Sequence, residues 1–112
     1  MNFDETDEFS KDFKRLSRKY KSLADDLLEF KKVVSKFPIG TGKHFVVLIA
    51  KETVKIIKGC LFCLYLKGSS LRIIYAYCEN KHMIEFIQLY FKGDKENEDH
   101  SRIKNYLCNF KQ

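Results

Sequence analysis

From residue 43 to residue 91 the chain is a succession of short apolar runs, HFVVLIA, TVKIIK, CLFCLYLK, LRIIYAY and MIEFIQLYF, rich in β-branched and aromatic residues. Lys-Glu, Gly, Gly-Ser-Ser and Glu-Asn-Lys-His separate them, and each break suits a turn. The pattern predicts a meander of antiparallel strands, although HFVVLIA carries letters that a short buried helix shares.

The region before residue 43 has a different period. In FSKDFKRLSRKY, Phe9, Phe13, Leu16 and Tyr20 line one face of a helix, and Lys11, Lys14, Arg15, Arg18 and Lys19 occupy the rest. Those cations read either as a solvated face or as a basic stripe for an acidic partner. SLADDLLEFKKVVSKFP predicts a second helix. Ser22 and Asp25 resemble a capping box, Leu27, Phe30, Val34 and Phe37 form the apolar stripe, and Pro38 stops it. The connection at Lys21 is so short that the two helices are expected to form an antiparallel hairpin. DHSRIKNYLCNF, with Ile103, Tyr106, Leu107 and Phe110 at helical spacing, predicts a short C-terminal helix capped by Asp99 or a neighbour. Helices followed by strands make an α+β fold, a helical hairpin packed on an antiparallel sheet. The 112 residues, 45% apolar and 14% aromatic, suit one domain spanning 1–112.

The charge balance, 21 Lys and Arg against 15 Asp and Glu, favours an anionic partner. No run is long enough to span a bilayer, and MNFDETDE lacks the basic-then-apolar order of a secretory signal, so a cytoplasmic protein with no membrane partner is expected. Cys60, Cys63, Cys78 and Cys108 are read as reduced thiols. Residues three apart in a strand point to opposite faces, which disfavours metal binding by the lone CxxC of GCLFCLYLKG. FKGDKENED fits no calcium loop, GKH is no phosphate-binding loop, and Gly-x-Ser-x-Gly does not occur, so no cofactor and no metal is expected. His44 and His82 read as surface residues.

Alternation places Arg72 with Ile74, Ala76 and Cys78 on one face of LRIIYAYC. In MIEFIQLYF it groups Met83, Glu85, Ile87, Leu89 and Phe91 on one face, and Ile84, Phe86, Gln88 and Tyr90 with Lys92 on the other. An arginine in a central strand must find partners or reach water, and Glu85 or Asp94 would serve as a purely structural partner. A hairpin around CENKH also brings Arg72 opposite position 90, so that Arg72, Tyr90 and Lys92 reach one end of the sheet, flanked by Lys67 and Lys95. Such a cluster suits RNA cleavage by the 2′-hydroxyl of the RNA itself. Arg and Lys would stabilise the phosphorane, and Tyr90 or His100 would move protons; imidazoles titrate near neutrality.

LRIIYAY and IEFIQLYFKGDKENED resemble the "R-(I/V)-I-Y … I-x-Y-x-K" signature of the RelE/ParE superfamily of type II toxins, and the order of elements is similar over nearly the whole chain. The resemblance implies a RelE/ParE-like toxin domain neutralised by a cognate antitoxin. In the RelE-like branch it implies a metal-independent endoribonuclease that enters the ribosome and cuts mRNA. It assigns the phosphate-stabilising arginine to Arg72, the following basic residue to Lys92 or Lys95, and proton transfer to Tyr90 or His100. Where the family carries further basic residues before LRIIY, this chain offers Lys55, Lys58 and Lys67 as RNA contacts. The alternatives are a ParE-like, non-catalytic inhibitor of DNA gyrase and a decayed, toxin-like binding domain.

Overall fold

The structure, a computed structural model, describes residues 1–40, 42–66, 70–95 and 97–110. Among the described residues three α-helices flank one sheet: β1 (Asn2–Glu5), α1 (Asp7–Lys19), α2 (Leu23–Lys36), β2 (Phe45–Ala50), β3 (Lys55–Phe62), β4 (Ser70–Cys78), β5 (Met83–Phe91) and α3 (His100–Asn109). The strands lie in the order β1-β5-β4-β3-β2. Strands β2 to β5 form the expected antiparallel meander, and β1 joins β5 in parallel.

Three features of the sheet differ from the sequence reading. TVKIIK and the start of CLFCLYLK form one strand through Gly59, while Leu64–Leu66 turn as a 3-10 helix. Gly59 lies beneath two rings. A Cβ there would stand 3.1 Å from Phe45 and 3.2 Å from Phe30, whose rings stack at 6.0 Å. The acidic N-terminus supplies β1, which alternation of apolar residues does not announce; Phe3 stacks on Phe86 at 5.9 Å and anchors it. Lastly, the β4–β5 register shifts between Ile74 and Tyr75, whose partners are Gln88 and Phe86. Ile87 is thus the extra residue of a bulge, and the strict alternation expected of β5 breaks there.

Thr6 joins β1 to α1. Its N–H donates to the Phe86 carbonyl at 3.0 Å and its hydroxyl accepts from Phe9 N–H at 3.1 Å, capping the helix. Phe9, Leu16 and Tyr20 are buried and Phe13 packs at the margin, as the spacing predicts. In α2 the buried stripe is Leu23, Leu27, Phe30 and Val34, whereas Phe37, expected in the stripe, is exposed at the helix end. Ser22 does not cap α2 through its side chain; its hydroxyl donates to Asp26 at 2.7 Å and accepts from Tyr65 N–H.

Both N-terminal helices pack on one face of the sheet, over Ile57, Leu61, Leu71, Ile73, Tyr75, Ile84, Phe86 and Leu89. Phe86 is the centre of this core, with the rings of Phe9, Tyr75 and Phe30 at 5.3, 6.3 and 6.4 Å. Each fully buried Phe contributes about 1.5–3 kcal/mol through removal from water. The opposite face carries a smaller core, Val54, Ile56, Ile74, Ala76, Ile87 and Tyr90 under Ile103 of α3. Helix α3 is capped by Asp99, which accepts Arg102 N–H at 3.1 Å, and Tyr106 pins it to β5 by donating to Glu85 at 2.7 Å. Glu85 is therefore engaged with α3 at the far end of the sheet from Arg72. Among the described residues no helix is long and apolar enough to cross a membrane.

Candidate functional site

Arg72 stands directly across β4–β5 from Tyr90 and across β3–β4 from Cys60. The next row on the same face is Lys58, Ile74 and Gln88. The expected pairing of positions 72 and 90 is present, and the bulge keeps it on this face. With both Ile87 and Gln88 turned away from the α1–α2 core, Tyr90 lies beside Arg72 and Leu89 faces the helices. Arg72 is half-buried and Tyr90 is 4% exposed. Burial pushes the Tyr90 phenol above the usual tyrosine range; Glu98 adds to the rise and the Arg72 guanidinium opposes it. Tyr90 therefore stays protonated at neutral pH and is a hydrogen-bond donor rather than a base.

The segment after β5 closes over this row. Gln88 Oε1 accepts Asp99 N–H at 2.8 Å, which fixes the entry to α3. Glu98, whose side chain is 8% exposed, accepts from Lys58 Nζ at 3.0 Å through Oε1 and faces His100 Nε2 at 3.6 Å through Oε2. Burial raises the Glu98 carboxyl, but its own backbone N–H, the Lys58 hydrogen bond and the nearby charges of Lys58 and His100 outweigh that effect and hold it below the ordinary glutamate range. A carboxylate so placed fixes the lysine by a hydrogen bond and stands within ion-pair range of the imidazole.

Of the residues singled out from sequence, Arg72, Tyr90, Lys58 and His100 meet on this face, Lys58 and His100 through Glu98. Lys92 and Lys95 are exposed in the turn that follows β5. Lys55 pairs with Tyr77 at the other end of β3, five residues in register from the Cys60–Arg72 pair. Lys67 lies outside the described residues.

Three participants were not legible as such. Glu98 sits in an acidic run that reads as a solvated turn. Asp12 and Arg102 form a mostly buried pair at 2.6 Å, in which Asp12 also accepts Leu89 N–H at 3.1 Å and Arg102 also donates to the Ile87 carbonyl at 3.1 Å. Together they satisfy the backbone of the bulge from α1 and α3. A signal existed for Asp12: it lies three residues after Phe9 and four before Leu16, a carboxylate within an apolar stripe. Arg102 Nε is buried without a hydrogen bond, although the Glu8 carboxylate lies within ion-pair range at 3.5 Å.

Cys60, Cys63, Cys78 and Cys108 are free thiols. Among the described residues, no group of three or more His, Cys, Asp or Glu side chains is arranged to hold a metal ion.

No protein-family model matches the chain, and no curated protein sequence matches it. A solved structure does: a chain in the crystal structure of the archaeal RelE-RelB complex from Pyrococcus horikoshii OT3 superposes with a TM-score of 0.62 at 17% identity, over 82% of this chain and 94% of that one. At that identity the likeness is one of fold, and the α+β architecture with N-terminal helices on a largely antiparallel sheet is the fold the two chains share.

Proposed function

We propose that the protein is the toxin of a type II toxin-antitoxin system, a RelE-like endoribonuclease that cuts mRNA on the ribosome and is neutralised by a cognate antitoxin. The observation that carries this reading is the cross-strand pair Arg72 and Tyr90, with Lys58, Glu98 and His100 on the same face. The shared fold with a chain of the RelE-RelB complex and the RelE/ParE-like signature in LRIIYAY and IEFIQLYF support it.

The chemistry divides among these residues. The 2′-oxygen attacks the adjacent phosphorus, the P–O5′ bond breaks, and the products are a 2′,3′-cyclic phosphate and a 5′-hydroxyl. Arg72 neutralises the oxygens of the phosphorane, an interaction worth more in the transition state than in the ground state. Lys58 adds positive field on the same face, and Lys92 and Lys95 add to it from the turn after β5. His100, whose Nε2 faces Glu98, takes the 2′-hydroxyl proton on Nδ1. The phenol of Tyr90, kept protonated by burial, gives its proton to the departing 5′-oxygen. No step uses a metal ion.

Induction of the protein in bacteria tests the reading against a ParE-like one. An mRNA interferase stops translation, and the arrest disappears in Arg72→Ala. A gyrase inhibitor triggers the DNA-damage response, and its arrest survives that substitution.

A further inference from the structure

Strand β1 pairs with β5 only from Met83 to Phe86. Beyond Phe86 the edge of β5 is met by side chains, Asp12 at Leu89 N–H and Arg102 at the Ile87 carbonyl. Next to these two residues lies a cleft of about 510 Å³, lined by Arg15 and Lys19 of α1, by Asp94 and Lys95 of the turn after β5, and by Leu89 and Tyr90 of the strand. That volume is in the range of ligand-sized clefts, about 300–1,000 Å³.

Among the described residues, cations outnumber acids in the lining of the cleft. The carboxylate of Asp12 is taken by Arg102 at 2.6 Å, and it lies 3.8 Å from Arg15, whose side chain is 68% exposed. Lys19 and Lys95 are exposed as well, and among the described residues Asp94 is the other acid of the lining. Lys19 rests its ammonium 5.5 Å from the Tyr20 ring centre, which holds it near the helix surface. Arg15 and Lys19 are four residues apart, so their side chains leave one face of α1 about 6 Å apart. That arrangement lets two cations meet successive phosphates of an extended strand. Tyr90, part of the same lining, is the cross-strand partner of Arg72.

We infer that this cleft binds the backbone of single-stranded RNA next to the nucleotide held at Arg72, with Arg15, Lys19 and Lys95 on its phosphates. The inference rests on the RNA reading of the Arg72 site and extends it to a second binding segment. An acidic polypeptide would meet the same cations. Tyr90, which lines the cleft and pairs with Arg72 across β4–β5, places the two sites next to each other and favours one strand of phosphates serving both.

The test uses Arg72→Ala protein, which leaves the probe uncut, and measures binding of a short oligouridylate across a salt series, with the fold of each variant checked by circular dichroism. Removing one cation from a phosphate of a single strand reduces the slope of log K against log salt by about 0.7, so adding Arg15→Gln and Lys19→Gln is expected to reduce it by about 1.4. Adding Lys32→Gln and Lys36→Gln, exposed positions on α2 with the same change in charge, is expected to leave it unaltered. Equal reductions in both pairs, no reduction in either, or no oligouridylate binding at low salt would overturn the inference. So would polyglutamate binding that depends on Arg15 and Lys19 while oligouridylate binding does not, which would give the cleft to an acidic protein. If the slope falls as expected while the unsubstituted protein fails to cut mRNA, the cleavage reading is wrong and the cleft stands.

Discussion

Asp12 on the first helix and Arg102 on the last meet at 2.6 Å across the edge of β5, and between them they bind the backbone of Leu89 and Ile87. The pair thereby fixes the bulge that turns Tyr90 toward Arg72. Both side chains are mostly buried, at 12% and 15% exposure, so removal of one partner strands the other charge and the backbone groups it serves. Arg102→Ala is expected to lower stability by about 3 kcal/mol in urea unfolding with an unchanged m value. Lys32→Ala, which breaks the fully surface-placed pair with Glu29, is expected to cost less than about 1 kcal/mol.

Glu98 links stability to pH. Its folded carboxyl titrates below the ordinary value of 4.5, so its contribution is complete above that pH and is lost as the pH falls through the lower folded value. Glu98→Gln is expected to be less stable than the unsubstituted protein by about 1 kcal/mol at neutral pH, with the gap closing in acid. Urea melts between pH 3 and pH 7 check this, and a gap that widens in acid would contradict it.

Gly59 illustrates how sequence signals mislead. Placed between TVKIIK and CLFCLYLK it reads as a strand break, yet it lies inside β3 because Phe30 and Phe45 stack over it. Gly59→Ala is expected to destabilise by about 1–3 kcal/mol through overpacking, not to relieve backbone strain. Thermal or urea unfolding measures it, and a stabilised variant would show that the rings give way.

Tyr90 separates packing from chemistry. Tyr90→Phe keeps the ring in the core beneath α3 and is expected to change stability by less than about 1 kcal/mol. With the proton-donor role proposed for its hydroxyl, the same substitution is expected to lower cleavage about 100-fold. Loss of both stability and activity in proportion would mean that the hydroxyl serves the fold alone.

The elements that the sequence announced are those whose burial has a period. The stripe of Phe9, Leu16 and Tyr20 predicted α1, and the β-branched runs with a turn at CENKH predicted the β4–β5 hairpin and the pairing of Arg72 with Tyr90. What it concealed depends on partners distant along the chain. Strand β1 is polar and is held by Phe3 on Phe86; the bulge at Ile87 is set by Asp12 and Arg102, 90 residues apart; and Glu98 is buried by Lys58, 40 residues away. Local periodicity carries no trace of such pairings, whereas an acid inside an apolar stripe, as at Asp12, does.

In the proposed reaction Arg72 holds the scissile phosphate. Cleavage of mRNA on programmed ribosomes, followed by primer extension, tests it most directly when the unsubstituted protein is compared with a folded Arg72→Ala variant. Discrete ribosome-dependent cuts are expected, falling by a factor of about 100–1,000 in the variant. Cuts of undiminished rate in Arg72→Ala, or no cutting by the unsubstituted protein, would contradict it.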